Sequence, residues 1–207
     1  MNIKTITKLA AVAAMAVGAH ATTISYDITG DHATGGLGTP PFGTVSLSET
    51  GTGPTTVTVH LVTGYSFVTT GAADDQYFKF NDGKAGASTA DVSFGTAAMK
   101  ANTGSFNGDG TGAFKFGIGP NPLNNGLNKY TGDIQFTVNA TIGDLTGVAN
   151  LIGGENIIFV ADLISPNGNT GPAYVTTTTT KVPDGGATVA LLGLGMFGLG
   201  AIRRKLS

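Results

Sequence analysis

Residues 55–64 read TTVTVHLVTG, and residues 133–143 read DIQFTVNATIG. In the first, Val57, Val59 and Leu61 alternate with Thr56, Thr58 and His60. In the second, Ile134, Phe136, Val138, Ala140 and Ile142 alternate with Gln135, Thr137, Asn139 and Thr141. Side chains point to opposite faces at successive positions of an extended chain, so a period of two predicts strands with one buried and one wet face. Threonine on the wet face suits a strand, because a β-branched side chain packs well on a pleated surface.

The same pattern recurs in both directions. AFKFGIG places Phe114, Phe116 and Ile118 on one side, QYFKFN does so with Phe78 and Phe80, and ADVSFG with Val92 and Phe94. NIIFVADLI is apolar almost throughout and predicts a central strand. Turn-forming stretches lie between these runs: GTGP, NDGKAG, NGDGTG, GPNPLNNG and SPNGNTGP. Eight to ten short strands, with no helical period of any length, predict an all-β fold: an antiparallel β-sandwich or jelly roll. Residues 22–175 supply the domain, enough chain for a two-sheet core. The Thr-rich run that follows, Thr176 to Thr180, reads as the end of a strand running into a short tether.

Composition narrows the function classes. The chain has 207 residues, 33 of them glycine, and only 12% are charged. There is no cysteine, so disulfides, thiolate metal sites and a cysteine nucleophile are excluded. Between Thr22 and Lys181 stand six lysines, no arginine and 12 of the 13 acids. That acidic middle carries no electrostatic footprint for nucleic acid. The remaining cations, Lys4, Lys8, Arg203, Arg204 and Lys205, sit at the two ends beside apolar segments. Charge placed in that way points to a membrane.

The front end has the three parts of a secretory signal over residues 1–21, expected as a signal helix. Lys4 and Lys8 form the positive region, Leu9 to Ala19 the apolar run, and Ala19-His20-Ala21 the small-residue site for signal peptidase. Cleavage after Ala21 makes Thr22 the first residue of the exported chain. The apolar run is too short to span a bilayer comfortably.

The back end has a complementary layout. Residues 176–186 contain the tether and the turn Val182-Pro183-Asp184-Gly185-Gly186. Residues 187–202 form an apolar run expected as a single transmembrane helix; at 1.5 Å per residue it extends about 24 Å, a minimal span. Gly193, Gly195, Gly198 and Gly200 weaken its helix propensity, as suits a segment that an intramembrane enzyme must open. Residues 203–207 hold Arg203, Arg204 and Lys205, a membrane stop that stays cytoplasmic by the positive-inside rule. The domain then lies on the far side of the membrane, as the signal requires.

The middle offers little chemistry. His60 falls on the wet phase of its strand and His32 in a Gly-rich loop, with no nucleophile elbow or metal spacing around either. Asp74-Asp75 reads as a turn cap. NGDGTG, Asn107 to Gly112, has one carboxylate, Asp109, against the several that a Ca²⁺ loop needs. Asn139-Ala140-Thr141 fits a glycosylation sequon placed mid-strand. Phe67, Phe78, Phe94, Phe106, Phe114, Phe116 and Phe159 read as core, leaving Tyr65, Tyr77 and Tyr130 as candidate exposed rings. No catalytic residue, cofactor or metal site is expected.

Turn, Gly/Leu-rich span and basic end together resemble the tripartite tail of the PEP-CTERM class of bacterial sorting signals. Val182-Pro183-Asp184-Gly185-Gly186 resembles its VPDSG-CTERM variant, with Gly185 where the name has Ser. GYSFVTTG (64–71) and FVADLISPNGNTGPAYV (159–175) are similar, more loosely, to sandwich domains of such proteins. The resemblance implies recognition by an exosortase-type transpeptidase of the inner membrane, removal of the tail near Val182 to Gly186, and delivery to the cell surface. It also implies an association with exopolysaccharide and biofilm matrix. The expectation is therefore a non-catalytic surface or matrix protein, held transiently in membrane lipid by residues 187–202. Two other readings make different demands. A carbohydrate-binding module for exopolysaccharide needs Tyr65, Tyr77 or Tyr130 on an exposed face. A surface hydrolase needs Asp74 or Asp75 to meet Asp91 or Asp162.

Overall fold

The computed structural model describes residues 21–32, 36–69, 75–122, 128–177 and 182–183. In chain order its strands are β1 (Ala21–Ile28), β2 (Gly30–Asp31), β3 (Gly43–Thr50), β4 (Thr55–Leu61), β5 (Ser66–Val68) and β6 (Phe78–Phe80). A 3-10 turn at Thr89–Asp91 leads into β7 (Val92–Phe94), β8 (Met99–Asn107), β9 (Ala113–Pro120), β10 (Lys129–Tyr130) and β11 (Ile134–Val138). One helix, α1 (Ile142–Thr146), precedes β12 (Asn150–Ile152), β13 (Glu155–Ile164), β14 (Thr170–Thr176) and β15 (Val182–Pro183). Eight of these strands have five residues or more, and the others are two- or three-residue pieces between turns.

The strands form two antiparallel sheets. The first runs β15-β1-β3-β4-β11-β7. The second runs β10-β5-β13-β6-β9-β8, with β14 and β12 also paired to β13, and β2 to β14. The alternating segments of β4 and β11 are neighbours in the first sheet, with Val59 opposite Ile134 and Val57 opposite Phe136. Their apolar faces meet the second sheet. Phe136 lies 6.1 Å from Phe78 and 5.4 Å from Phe80, measured between ring centroids. Val45, Leu47, Val57, Val59, Phe67, Phe116 and Phe159 join them in one buried cluster. Burying each large apolar side chain contributes about 1.5–3 kcal/mol, so this shared layer drives the two sheets together.

β13 is the central strand that its apolar run predicts. One edge pairs with β14 along most of its length, and the other meets β12, β6 and β5 in succession. Its residues from Ile157 to Ile164 are all buried. Gly153 and Gly154, at φ 59 and 88, turn the chain between β12 and β13, where two consecutive left-handed positions favour glycine.

Some expectations are corrected. The strand through residues 133–143 stops at Val138, and Ile142 begins α1. The cause is local. The Asp144 N–H donates to Thr141 Oγ1 at 3.1 Å, and the Thr141 N–H donates to Asp144 Oδ2 at 2.9 Å. This reciprocal cap satisfies two N–H groups at a helix start, which outweighs the alternation of Ala140 and Ile142. Ala140 and Ile142 are buried all the same. Phe94 and Phe106, read as core, are only half-buried, because β7 and β8 are the sheet edges.

No helix among the described residues is long and apolar enough to cross a membrane. The segments read as signal (its first 20 residues), span (187–202) and basic stop (203–207) lie outside the described residues. Ala21 opens β1, and β-structure reaches Val182–Pro183 within the segment read as tether and sorting motif.

Candidate functional site

β15 consists of the first two residues of the sorting motif. It lies antiparallel on β1, with Val182 opposite Ser25 and Pro183 opposite Ile24. The other edge of β1 pairs with β3 over its whole length, from Ala21 opposite Thr50 to Ile28 opposite Gly43. β15 is thus the outermost strand of the first sheet. Proline fixes its own φ at about −65°, which an edge strand accommodates, and biases the residue before it toward an extended conformation. It has no N–H to give to a ladder, so an edge strand is where a sheet tolerates it. The local chemistry of Val-Pro therefore agrees with its place.

Antiparallel pairing has a directional consequence. The C-terminal end of β15 points toward the N-terminal end of β1. The start of β1 at Ala21 and the Pro183 end of β15 therefore lie toward the same end of the same sheet edge.

Residues 181–206 match the family described as the VPDSG-CTERM motif. The tail is a VPDSG-CTERM motif. The match starts one residue before Val182 and takes in Asp184, Gly185, Gly186, the apolar run and the Arg203-Arg204-Lys205 cluster. No curated protein and no solved structure matches the chain. Asp184 to Lys205 lie outside the described residues. Of the VPDSG-CTERM motif the structure therefore places Val182 and Pro183, and of the residues expected at signal cleavage Ala21 and Thr22, all in paired strands.

The residues weighed for chemistry in the domain are dispersed. His60 is exposed on β4, where its Nδ1 lies 2.8 Å from Asp133 Oδ1. Beside this pair is a groove of about 260 Å³, lined in part by Thr58, Phe94, Tyr130, Asp133 and Gln135. Tyr130 is half-buried there; its ring stacks 6.1 Å from that of Tyr77, and its hydroxyl donates to the Asp133 carbonyl at 3.3 Å. Tyr77 is itself buried, and the Tyr65 hydroxyl donates to the Leu37 carbonyl at 2.9 Å. The three tyrosines form no common exposed platform. His32 is exposed, and its N–H donates to the Pro172 carbonyl.

The carboxylates of the hydrolase reading have separate partners. Asp162 is buried and lies 2.9 Å from Lys79 Nζ, whose side chain is 0% exposed. Asp91 accepts from the Ser88 N–H at 3.0 Å and from Lys84 at 3.4 Å. Those donors hold its carboxyl below the usual range, the Ser88 N–H foremost. Asp75 is half-buried, and Asp74 lies outside the described residues. The NGDGTG loop closes on itself: the Gly110 N–H donates to Asn107 Oδ1 at 3.1 Å, and Thr111 Oγ1 donates to the Gly108 carbonyl at 2.6 Å. Asn139 of the sequon is exposed in the turn before α1, with its side chain donating to Asp91 Oδ1 at 3.4 Å.

Three arrangements escape the sequence reading. The Lys79–Asp162 pair joins β6 to β13, strands far apart in the chain. A lysine between Phe78 and Phe80 was a signal for it, since a cation inside an apolar strand needs a counter-charge. The Asp133–His60 contact carried no signal beyond shared wet phase. The cap on α1 was legible as Thr-x-x-Asp at Thr141 and Asp144. Elsewhere, burial and the 2.7 Å hydrogen bond to Glu155 push the Tyr174 phenol up to about 12.

Proposed function

We propose that this chain is an exported protein sorted to the cell surface by an exosortase-type transpeptidase that reads its C-terminal tail. The observation that carries this reading is the VPDSG-CTERM match over residues 181–206, at the end of an otherwise acidic β-rich chain. Signal peptidase removes residues 1–21. Residues 187–202 then sit in membrane lipid, with Arg203, Arg204 and Lys205 on the cytoplasmic side. The transpeptidase opens the chain within Val182 to Gly186 and transfers the β-sandwich to its destination.

The domain serves a structural, non-catalytic role in the surface layer or matrix. Support comes from the dispersal of its titratable groups: Asp162 is engaged with Lys79, Asp91 with Ser88 and Lys84, and His60 with Asp133 on an exposed strand. Exopolysaccharide is the partner class that the sorting system suggests. With Tyr77 buried and Tyr65 turned to Leu37, such contact involves backbone and hydroxyl groups more than an aromatic face.

Intact mass of the protein recovered from the cell surface tests this reading. The expected species begins at Thr22 and ends between Val182 and Gly186, with or without an added group. A species that keeps Arg203 and Arg204 rules out sorting and leaves a permanent anchor.

A further inference from the structure

The sorting motif is not presented as a bare extended peptide. Its first two residues are already a strand of the sandwich. An enzyme that binds an extended peptide does so by main-chain hydrogen bonds to one edge of it, as a sheet does. Among the described residues β15 keeps one edge free, but β1 holds the other, so a transpeptidase whose cleft must close around Val182 and Pro183 competes with β1 for them. We propose that the outer edge of β1, at Ile24 and Ser25, is an intramolecular docking surface that masks the sorting motif until β15 is released. The proposal rests on the reading of the tail as a transpeptidase substrate.

The strength of such a mask follows from its size. Among the described residues two pairs hold it, and Pro183 has no N–H to contribute. One or two backbone hydrogen bonds of ordinary net strength bias the docked state by about ten-fold. That is a latch that opens readily, slowing processing without preventing it. Its position adds a second feature. β1 begins at Ala21, beside the proposed signal cleavage site, and its start lies toward the same end of the edge as Pro183. Residues 24 and 25 are only the fourth and fifth of β1, so an edge competent to dock the motif requires the first turn of exported chain to be folded onto β3. Masking thus ties the state of the tail to completion of the N-terminal strand.

The absence of native cysteine makes the test clean. Residues directly opposite in an antiparallel pair have Cβ atoms about 4.5–5.5 Å apart, near enough for a disulfide. In the full-length chain, Ser25→Cys with Val182→Cys is expected to cross-link at least about ten-fold faster than Thr56→Cys with Val182→Cys, whose partner lies on β4. Equal rates overturn the docking. In producing cells, the cross-linked form is expected to keep its tail by intact mass, and to lose it after reduction. Tail removal from the cross-linked form as fast as from Val182→Cys alone overturns the masking. Where Val182→Cys alone stops processing, the second register pair, Ile24→Cys with Pro183→Cys, replaces it and is read in the same way. Retention of the tail by the wild-type chain removes the sorting reading, and the masking with it, while the cross-linking rates still report the docking separately.

Discussion

Lys79 and Asp162 provide the sharpest test of how this sandwich is held together. The Lys79 side chain is 0% exposed and that of Asp162 5%, with Nζ and Oδ2 2.9 Å apart. Lys79 lies on β6 between Phe78 and Phe80, and β6 sits between β13 and β9, so the charge is in the middle of a sheet. Lys79→Met removes the counter-charge of a buried carboxylate, and Asp162→Leu does the converse. Breaking a buried pair from one side costs about 3–5 kcal/mol, because the remaining ion keeps its desolvation penalty and loses its compensation. For a domain of this size each kcal/mol moves the melting temperature by about 2–4 °C, so each single variant is expected to melt about 6–20 °C lower. The double variant is expected to recover most of the loss, since a well-packed apolar pair of similar volume is often neutral or better. Thermal and urea melts followed by circular dichroism give the four corners of a double-mutant cycle. Two results refute the reasoning: single variants that each lose under about 1 kcal/mol, or a double variant whose loss is the sum of the singles.

Thr141→Ala is expected to cost about 1 kcal/mol in urea melts, by removing the cap that receives the Asp144 N–H, while Thr141→Ser retains most of it. Asp82 is held above the usual carboxylate range, first by burial, and its Oδ2 has no hydrogen-bond partner among the described residues. The folded state therefore binds the proton more tightly than the unfolded chain, and stability falls as pH rises from about 4 toward the folded value. Asp82→Asn is expected to be more stable than wild type at pH 7, with the advantage vanishing below about pH 4; an advantage independent of pH removes the argument. Gly43 faces the β4 backbone so closely that an added Cβ would lie 2.2 Å from the His60 carbonyl oxygen. Gly43→Ala is expected to lower stability by about 1–3 kcal/mol in the same melts, since neither strand can give way without losing its register.

The sequence by itself determined that the chain is built of short strands and, for β4 and β11, which face is buried. Alternation over Val57, Val59, Ile134, Phe136 and Val138 is a local property, because successive side chains must point to opposite sides wherever the strand is placed. It also made the C-terminal VPDSG-CTERM motif legible, because that motif is contiguous and read in order along the chain. The tertiary structure decided what no window of sequence contains. Asp162 meets Lys79, and Val182–Pro183 meet Ile24–Ser25, across separations that only the strand order creates. Two residues of Val-Pro carry no periodicity from which a pairing could be read, and a docking partner at the opposite end of the chain leaves no trace in the local pattern. Where the end of a strand depended on one side chain, as at Thr141, a helix cap and an alternating pattern competed. Local hydrogen bonding prevailed because it satisfied N–H groups that burial of the turn would otherwise have orphaned.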